Sequence, residues 1–238
     1  MPFDPQIQST MEVQVKIRLN ENLYLRDPEA TELGRKIVRR SMVLIKEMGF
    51  EQFTFKKLAV DINTTEASIY RYFENKHRLL LYLLSWYWSV LEYLVVFNIT
   101  HMNDIRQKLC RVIELLAQEP TDSLSGSDFD YQVLYQIMIL ESNKAYLTKD
   151  VTANNEAKLF KPYKDLCARI AGLITEYNPA YPFPHSLAST LIETAHLQYF
   201  FMQHLPSLTD FGHAPNTAPL KRFLEMLLFA NAVPKPLE

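Results

Sequence analysis

A chain of 238 residues, 48% hydrophobic and 22% charged, is long enough for one large domain or two small ones and too apolar for general disorder. The net charge of −2 hides an asymmetry: residues 31–78 hold ten Lys/Arg against six Asp/Glu, whereas 79–238 hold twelve against sixteen, so a basic head that suits nucleic acid precedes an acidic body. The start MPFDPQIQST lacks the features of an export leader, and no uninterrupted run of about 18 apolar residues stands out, which excludes a membrane role and predicts a soluble, cytoplasmic protein.

Five glycines and helical rather than alternating apolar spacing predict an all-α fold. Cys110 and Cys167 are isolated, so reduced thiols are expected rather than a disulfide or a metal site. No catalytic motif and no cofactor-binding motif occurs along the chain; no enzyme, cofactor or metal is expected.

Residues 1–30 form an N-terminal extension of a different kind. Val13, Val15, Ile17 and Leu19 alternate with Gln14, Lys16 and Arg18; Asn20-Glu21-Asn22 signals a turn, and Leu23 and Leu25 resume the alternation before Asp27-Pro28. The pattern reads as a short β-hairpin, which needs something to pack on. A strap over the chain's own helices, a ribbon spanning a dimer and a DNA-contacting arm all fit it.

From Thr31 the spacing turns helical. Leu33, Ile37, Leu44 and Met48 trace one face of a first helix that ends at Gly49-Phe50. Thr54 is placed to cap a second helix whose buried side is Leu58, Ala59 and Ile62; Asn63 tolerates the left-handed backbone of a tight turn, and Thr65 caps a third, short helix buried through Ile69 and Phe73. Two short helices across such a turn form a helix-turn-helix, whose second helix enters the DNA major groove.

At these residues a resemblance becomes specific. The run GFEQFTFKKLAVDINTTEASIYRYFENKHRLL, residues 49–80, resembles the N-terminal domain of the TetR/AcrR family of bacterial transcriptional regulators, and the likeness extends from about Thr31 to about Leu84. The chain departs from the family pattern at Asn63, where Gly is usual, and at Glu66, where a neutral or basic residue is common. The resemblance implies a DNA-binding regulator, usually a repressor, with Tyr70 and Lys76 clamping the DNA backbone. It also implies a homodimer reading a near-palindromic operator in double-stranded DNA, and a C-terminal body holding an effector pocket and the dimer interface.

The residue chemistry assigns roles within the motif. Thr54, Lys56, Tyr70 and Lys76 are the candidates for phosphate contact. Thr64, Thr65, Glu66, Ser68 and Arg71 are the candidates for base edges, with Arg71 suited to guanine, Glu66 to a cytosine amino group, and Ala67 to a thymine methyl. Domain limits are expected at 31–78 for the DNA-binding head and 79–238 for the body.

The stretch 79–97, LLLYLLSWYWSVLEYLVVF, is apolar around its whole girth and predicts a helix buried between head and body. Further helices are expected at about 101–118, 128–146, 152–176 (kinked or split at Pro162), 184–205 and 218–231. Trp86, Trp88, Tyr93, Phe97, Tyr131, Tyr135 and Met138 are the candidate lining of a pocket for an apolar or aromatic small molecule, although aromatics at helical spacing also fit plain core. Glu141, Glu193 and His196 are polar residues on apolar helices, fit to orient a ligand or to serve as satisfied structural groups. Leu187, Leu191, Thr194, Gln198 and Phe201 on one helix, with Leu220, Phe223, Leu224 and Leu227 on the last, are the candidate dimer interface. The leading function is a repressor released by a small effector. The alternative is a DNA-binding regulator without a small ligand, controlled by a protein partner or by the N-terminal extension.

Overall fold

In the computed structural model, which describes residues 17–119, 130–212 and 216–232, most helices of the head and several of the body begin where the sequence supplies a cap. Thr31 Oγ1 accepts from Gly34 N–H and opens α1 (Glu32–Gln52). Thr54 and Thr65 do the same for α2 (Phe55–Asp61) and α3 (Glu66–Tyr70). Asn75 opens α4 (Lys76–Ile99), Asp104 α5 (Ile105–Ala117) and Asp130 α6 (Tyr131–Glu141). Each such cap satisfies one orphan N–H and is worth about 1 kcal/mol. Short α7 (Asn143–Tyr146) and α8 (Val151–Glu156) follow; Pro162 and Pro184 sit in the first turns of α9 (Lys161–Tyr177) and α10 (Pro184–His204), and α11 (Ala218–Ala232) ends the described chain. First-turn proline loses no helical hydrogen bond, which is why Pro162 begins a new helix and the expected 152–176 segment is split.

The fold is all-α, and no strand occurs among the described residues. The expected β-hairpin is corrected over residues 17–30: these carry two 3-10 turns, Glu21–Leu23 and Pro28–Ala30, capped by Asn20 and Asp27. The side-chain caps redirect the backbone locally, so Leu23 is a buried anchor rather than one member of an alternating strand. Val13 and Val15 lie outside the described residues.

Residues 17–31 run as a strap from body to head. Asn20 Nδ2 donates to the carbonyls of Ala157 (2.9 Å) and Lys158 (3.1 Å) in the body. Leu25 N–H donates to the Tyr72 carbonyl (2.8 Å) and the Thr31 and Tyr72 hydroxyls pair at 2.7 Å in the head. Pro28 presses on α1 so closely that a Cβ at Gly34 would meet its carbonyl oxygen at 2.2 Å. Only glycine permits that approach.

Helix α4 is the axis of the molecule and packs against α1, α5, α6 and α9. By length and composition it would cross a membrane, with a mean hydropathy of 1.6 over its most apolar window, which corrects the reading that no such stretch exists. Here 72% of that window is buried in the protein's own core, as expected of a helix apolar on every side. Its first residues belong to the head and the rest to the body, so the expected boundary at residue 78 falls inside a continuous helix.

Candidate nucleic-acid interface

The turn between α2 and α3 is built by backbone chemistry. Asn63 adopts φ 56°, and the N–H groups of Asn63 and Thr64 return to the carbonyls of Val60 (3.2 Å) and Ala59 (2.8 Å). This paired return is the helix-ending motif that a left-handed Gly or Asn allows. Two further ties hold α1 and α2 together: Arg40 grips Asp61 through two bonds of 2.7 and 2.8 Å, and Lys36 Nζ donates to the Ile62 carbonyl at 3.1 Å. That pairing holds the Asp61 carboxyl below its ordinary range, first through the hydrogen bond itself.

Ile69, Tyr72 and Phe73 turn inward, leaving the other face of α3 to solvent. Thr65, Ala67, Tyr70 and Arg71 are exposed there, with Thr64, Glu66 and Ser68 half-buried beside them. The structure thus groups the base-reading candidates on one short helix and its cap. Thr65 Oγ1 and Ser68 Oγ lie 3.0 Å apart and engage each other. The Tyr70 ring stands edge-on against Phe55 at 5.1 Å, which props the phenol outward. Thr54 and Lys56 are exposed at the start of α2.

Lys76 requires a correction. Its ammonium does not face outward: Nζ donates to the carbonyls of Phe50 (3.0 Å), Glu51 (3.1 Å) and Phe53 (3.2 Å), and it stands 4.7 Å from the centroid of the Phe50 ring. An ammonium has three donors, and all three are used. The reason is the end of α1, where Gly49 at φ 75°, ψ 157° breaks the helical path and leaves carbonyls that need a donor.

The Phe50 N–H freed by that kink donates to Glu141 Oε1 of α6 at 2.9 Å. Glu141 is 6% exposed, and its Oε2 pairs with Lys144 at 2.6 Å. Residues 49–53 are therefore held from the body by Glu141 and from α4 by Lys76. Sequence reasoning marked Glu141 as polar on an apolar helix, without a signal for its partner.

In the body, Trp86, Trp88, Tyr131, Tyr135 and Met138 are buried, whereas Tyr93 and Phe97 stack on each other and Phe97 is 65% exposed. The candidate pocket residues thus separate into an inner cluster and an outer pair. The inner cluster centres on His196, whose Nε2 is 2.7 Å from the Tyr87 hydroxyl. A void beside Trp88, Tyr146 and Tyr163 has a volume of about 10 Å³, room for no more than a water. Burial pushes the Tyr87, Tyr131 and Tyr135 phenols well up and the His196 imidazole down to about 4, so the cluster is uncharged at neutral pH.

The sign of that histidine shift gives a test. His196 in the unfolded chain takes a proton near 6.5 and in the folded chain near 4. Its contribution is complete above pH 6.5 and is lost as pH falls toward 4, on the order of 3 kcal/mol in total. Urea midpoints between pH 7 and 4 should fall more steeply for the native chain than for His196→Gln; parallel curves would show that His196 is not held neutral.

The dimer candidates also divide. Leu187, Leu191, Leu220 and Leu224 are buried inside the subunit, which corrects their assignment to an outer face. Thr194, Gln198, Phe201 and Leu227 are half-buried, and Phe223 is exposed. Helix α10 is apolar on several sides because it packs on α5, α6, α9 and α11, so spacing alone did not say which stripe faces out. Leu197 (52%) on α10 and Met226 (62%) on α11 are further outward apolar residues.

The head with its exposed reading helix, joined by α4 to a larger helical body, defines a helix-turn-helix DNA-binding protein of the one-chain regulator type. Residues 37–83 match the family model for bacterial regulatory proteins of the tetR family. Residues 37–83 therefore carry the DNA-binding domain typical of that family. No curated protein matches the chain. Similar solved structures include AibR in complex with isovaleryl coenzyme A and operator DNA, at 15% identity and TM-score 0.57 over 83% of this chain and 99% of that one. The fatty acid degradation regulator FadR from Bacillus halodurans follows at 17% identity and TM-score 0.54, over 81% of this chain and 96% of that one. The superantigen PfiT has 14% identity and TM-score 0.56, over 87% of this chain and 98% of that one. At these identities the likeness is one of fold, and the range of the three names illustrates that fold alone does not set function.

Proposed function

We propose that the protein is a dimeric, cytoplasmic repressor that reads a near-palindromic operator through α3 and is released when a small molecule binds the body. The observation that carries the DNA reading is the exposed face of α3, with Ala67, Tyr70 and Arg71 outward on a helix fixed by two caps and an inward Ile69. Arg71 reads a guanine edge, Ala67 a thymine methyl and Glu66 a cytosine amino group, with Thr64, Thr65 and Ser68 completing the edge contacts. Thr54, Lys56 and Tyr70 hold phosphates. At the start of α4 that task falls to the unpartnered backbone N–H groups of Lys76 and His77 rather than to the Lys76 ammonium.

Dimerisation uses the outer faces of α10 and α11, through Leu197, Phe201, Phe223 and Met226. Two copies present two reading helices, and operator selectivity needs both. Release runs from the body through α6 to Glu141 and the 49–53 segment, which carries the head. AibR, with its bound acyl thioester and operator, supports a body that receives a small molecule. The strap favours a second reading, control through the N-terminal extension, because it bonds to both head and body.

Fragments bound from a genomic pool identify the operator. On that operator Arg71→Ala should weaken binding by about 1–3 kcal/mol and relax the preference at one base pair per half-site. Uniform weakening across all sequences would show that Arg71 touches phosphate, and no effect would remove it from the interface.

A further inference from the structure

Between the strap and the body lies a groove that the DNA-reading head does not use. Its volume is about 580 Å³, within the range of small-molecule pockets. The strap forms one wall, the outer face of α4 the second, and the start of α9 the third. Its apolar lining includes Leu19, Tyr93, Val96 and Pro162.

Its charges are unbalanced. Glu92 is taken by Arg169 at 2.9 Å, and Asp165 pairs with Lys161. Arg18 on the strap and Lys158 in the turn before α9 have no carboxylate partner among the described residues. Lys158 stands in a left-handed turn at φ 59°, and its carbonyl and that of Ala157 are the acceptors that hold Asn20. Two cations without a carboxylate partner among the described residues, over an aromatic and aliphatic floor, complement one kind of guest.

We infer that this groove binds an organic anion with an apolar body, its acid group between Arg18 and Lys158 and its body across Tyr93 and Val96. The site lies outside the aromatic cluster around His196. It has its own route to DNA, which rests on the proposal that α3 reads the operator. A guest seated there bears on the residues that bond to Ala157 and Lys158. A few residues on, the same strap bonds to the backbone and hydroxyl of Tyr72, just past α3. Occupancy therefore shifts the seating of the reading helix.

The test is calorimetric titration of the full chain with decanoate, and with decanol as its uncharged counterpart. Decanoate should saturate at one site per chain and bind about tenfold or more tighter than decanol. The exposed pair Arg18→Ala/Lys158→Ala should lose about tenfold in decanoate affinity with its melting temperature unchanged. No decanoate binding, equal binding of decanol, or undiminished binding by the double variant would each overturn the site. Decanoate should also lower operator affinity of the native chain, and Tyr72→Phe, which removes the hydroxyl bond to the strap's Thr31 away from the groove, should reduce that effect while still binding decanoate. Unchanged operator affinity in the native chain would overturn the route to DNA. Operator binding without decanoate is read separately, so a failure of the DNA reading is distinct from a failure of the groove.

Discussion

Glu141→Ala should lower the melting temperature by roughly 5–10 °C, the largest stability loss expected from one side chain outside the apolar core. The residue is 6% exposed and satisfies a backbone N–H that cannot be satisfied elsewhere, because Gly49 has already taken the chain out of the helical path. Removing the carboxylate leaves the buried Phe50 N–H without its acceptor, a cost of about 2–3 kcal/mol, while the partly exposed Lys144 keeps Glu51 at 3.6 Å. Glu141→Gln keeps an acceptor for Phe50 N–H and should recover about half of the loss. A melting temperature within about 1 °C of the native value for Glu141→Ala would show that water replaces the carboxylate and that the tie between α6 and the head is weak. The same reasoning predicts that Lys76→Met lowers stability and leaves the salt dependence of DNA binding unchanged, since all three of its donors face carbonyls.

Leu197→Glu/Met226→Glu should give a monomer in sedimentation and reduce operator affinity by about 100-fold or more at physiological salt. Both side chains are more than half exposed, so the substitution adds charge to the surface of one subunit without disturbing its core. Leu220→Glu is the contrast: that side chain is fully buried, and burying a carboxylate there should unfold α11 rather than separate two folded subunits. A native chain that sediments as a monomer would overturn the dimer, and a double variant that stays dimeric would place the interface elsewhere.

What the sequence made legible follows the range of the interactions. Caps, turn and inward face of the head are local: Thr54, Asn63, Thr65 and Ile69 act on residues within about one helical turn, and they lie where the spacing put them. The partners of Lys76 and Glu141 are long-range. Twenty-three to 26 residues separate Lys76 from its carbonyls, and 91 separate Glu141 from Phe50, so neither pairing leaves a periodic trace. The extension failed for a different reason. Alternation around residues 17–25 mimicked a strand, but Asn20 and Asp27 side chains bond to backbone N–H two residues on and turn the chain before a ladder forms. On α10 the apolar residues face four neighbouring helices, and a stripe could not be assigned to the core or the outer face by spacing alone.

The proposed function stands or falls on whether α3 and its neighbours read duplex DNA. The most direct measurement is equilibrium binding of the full chain to its selected genomic fragment over a range of salt concentrations. A scrambled duplex of equal length serves as reference. Binding to the selected fragment should be about 10³-fold or more tighter than to the scrambled duplex, with affinity falling steeply and linearly on a logarithmic salt axis as phosphate contacts release counterions. Equal affinity for both duplexes, or binding that does not change with salt, would contradict it.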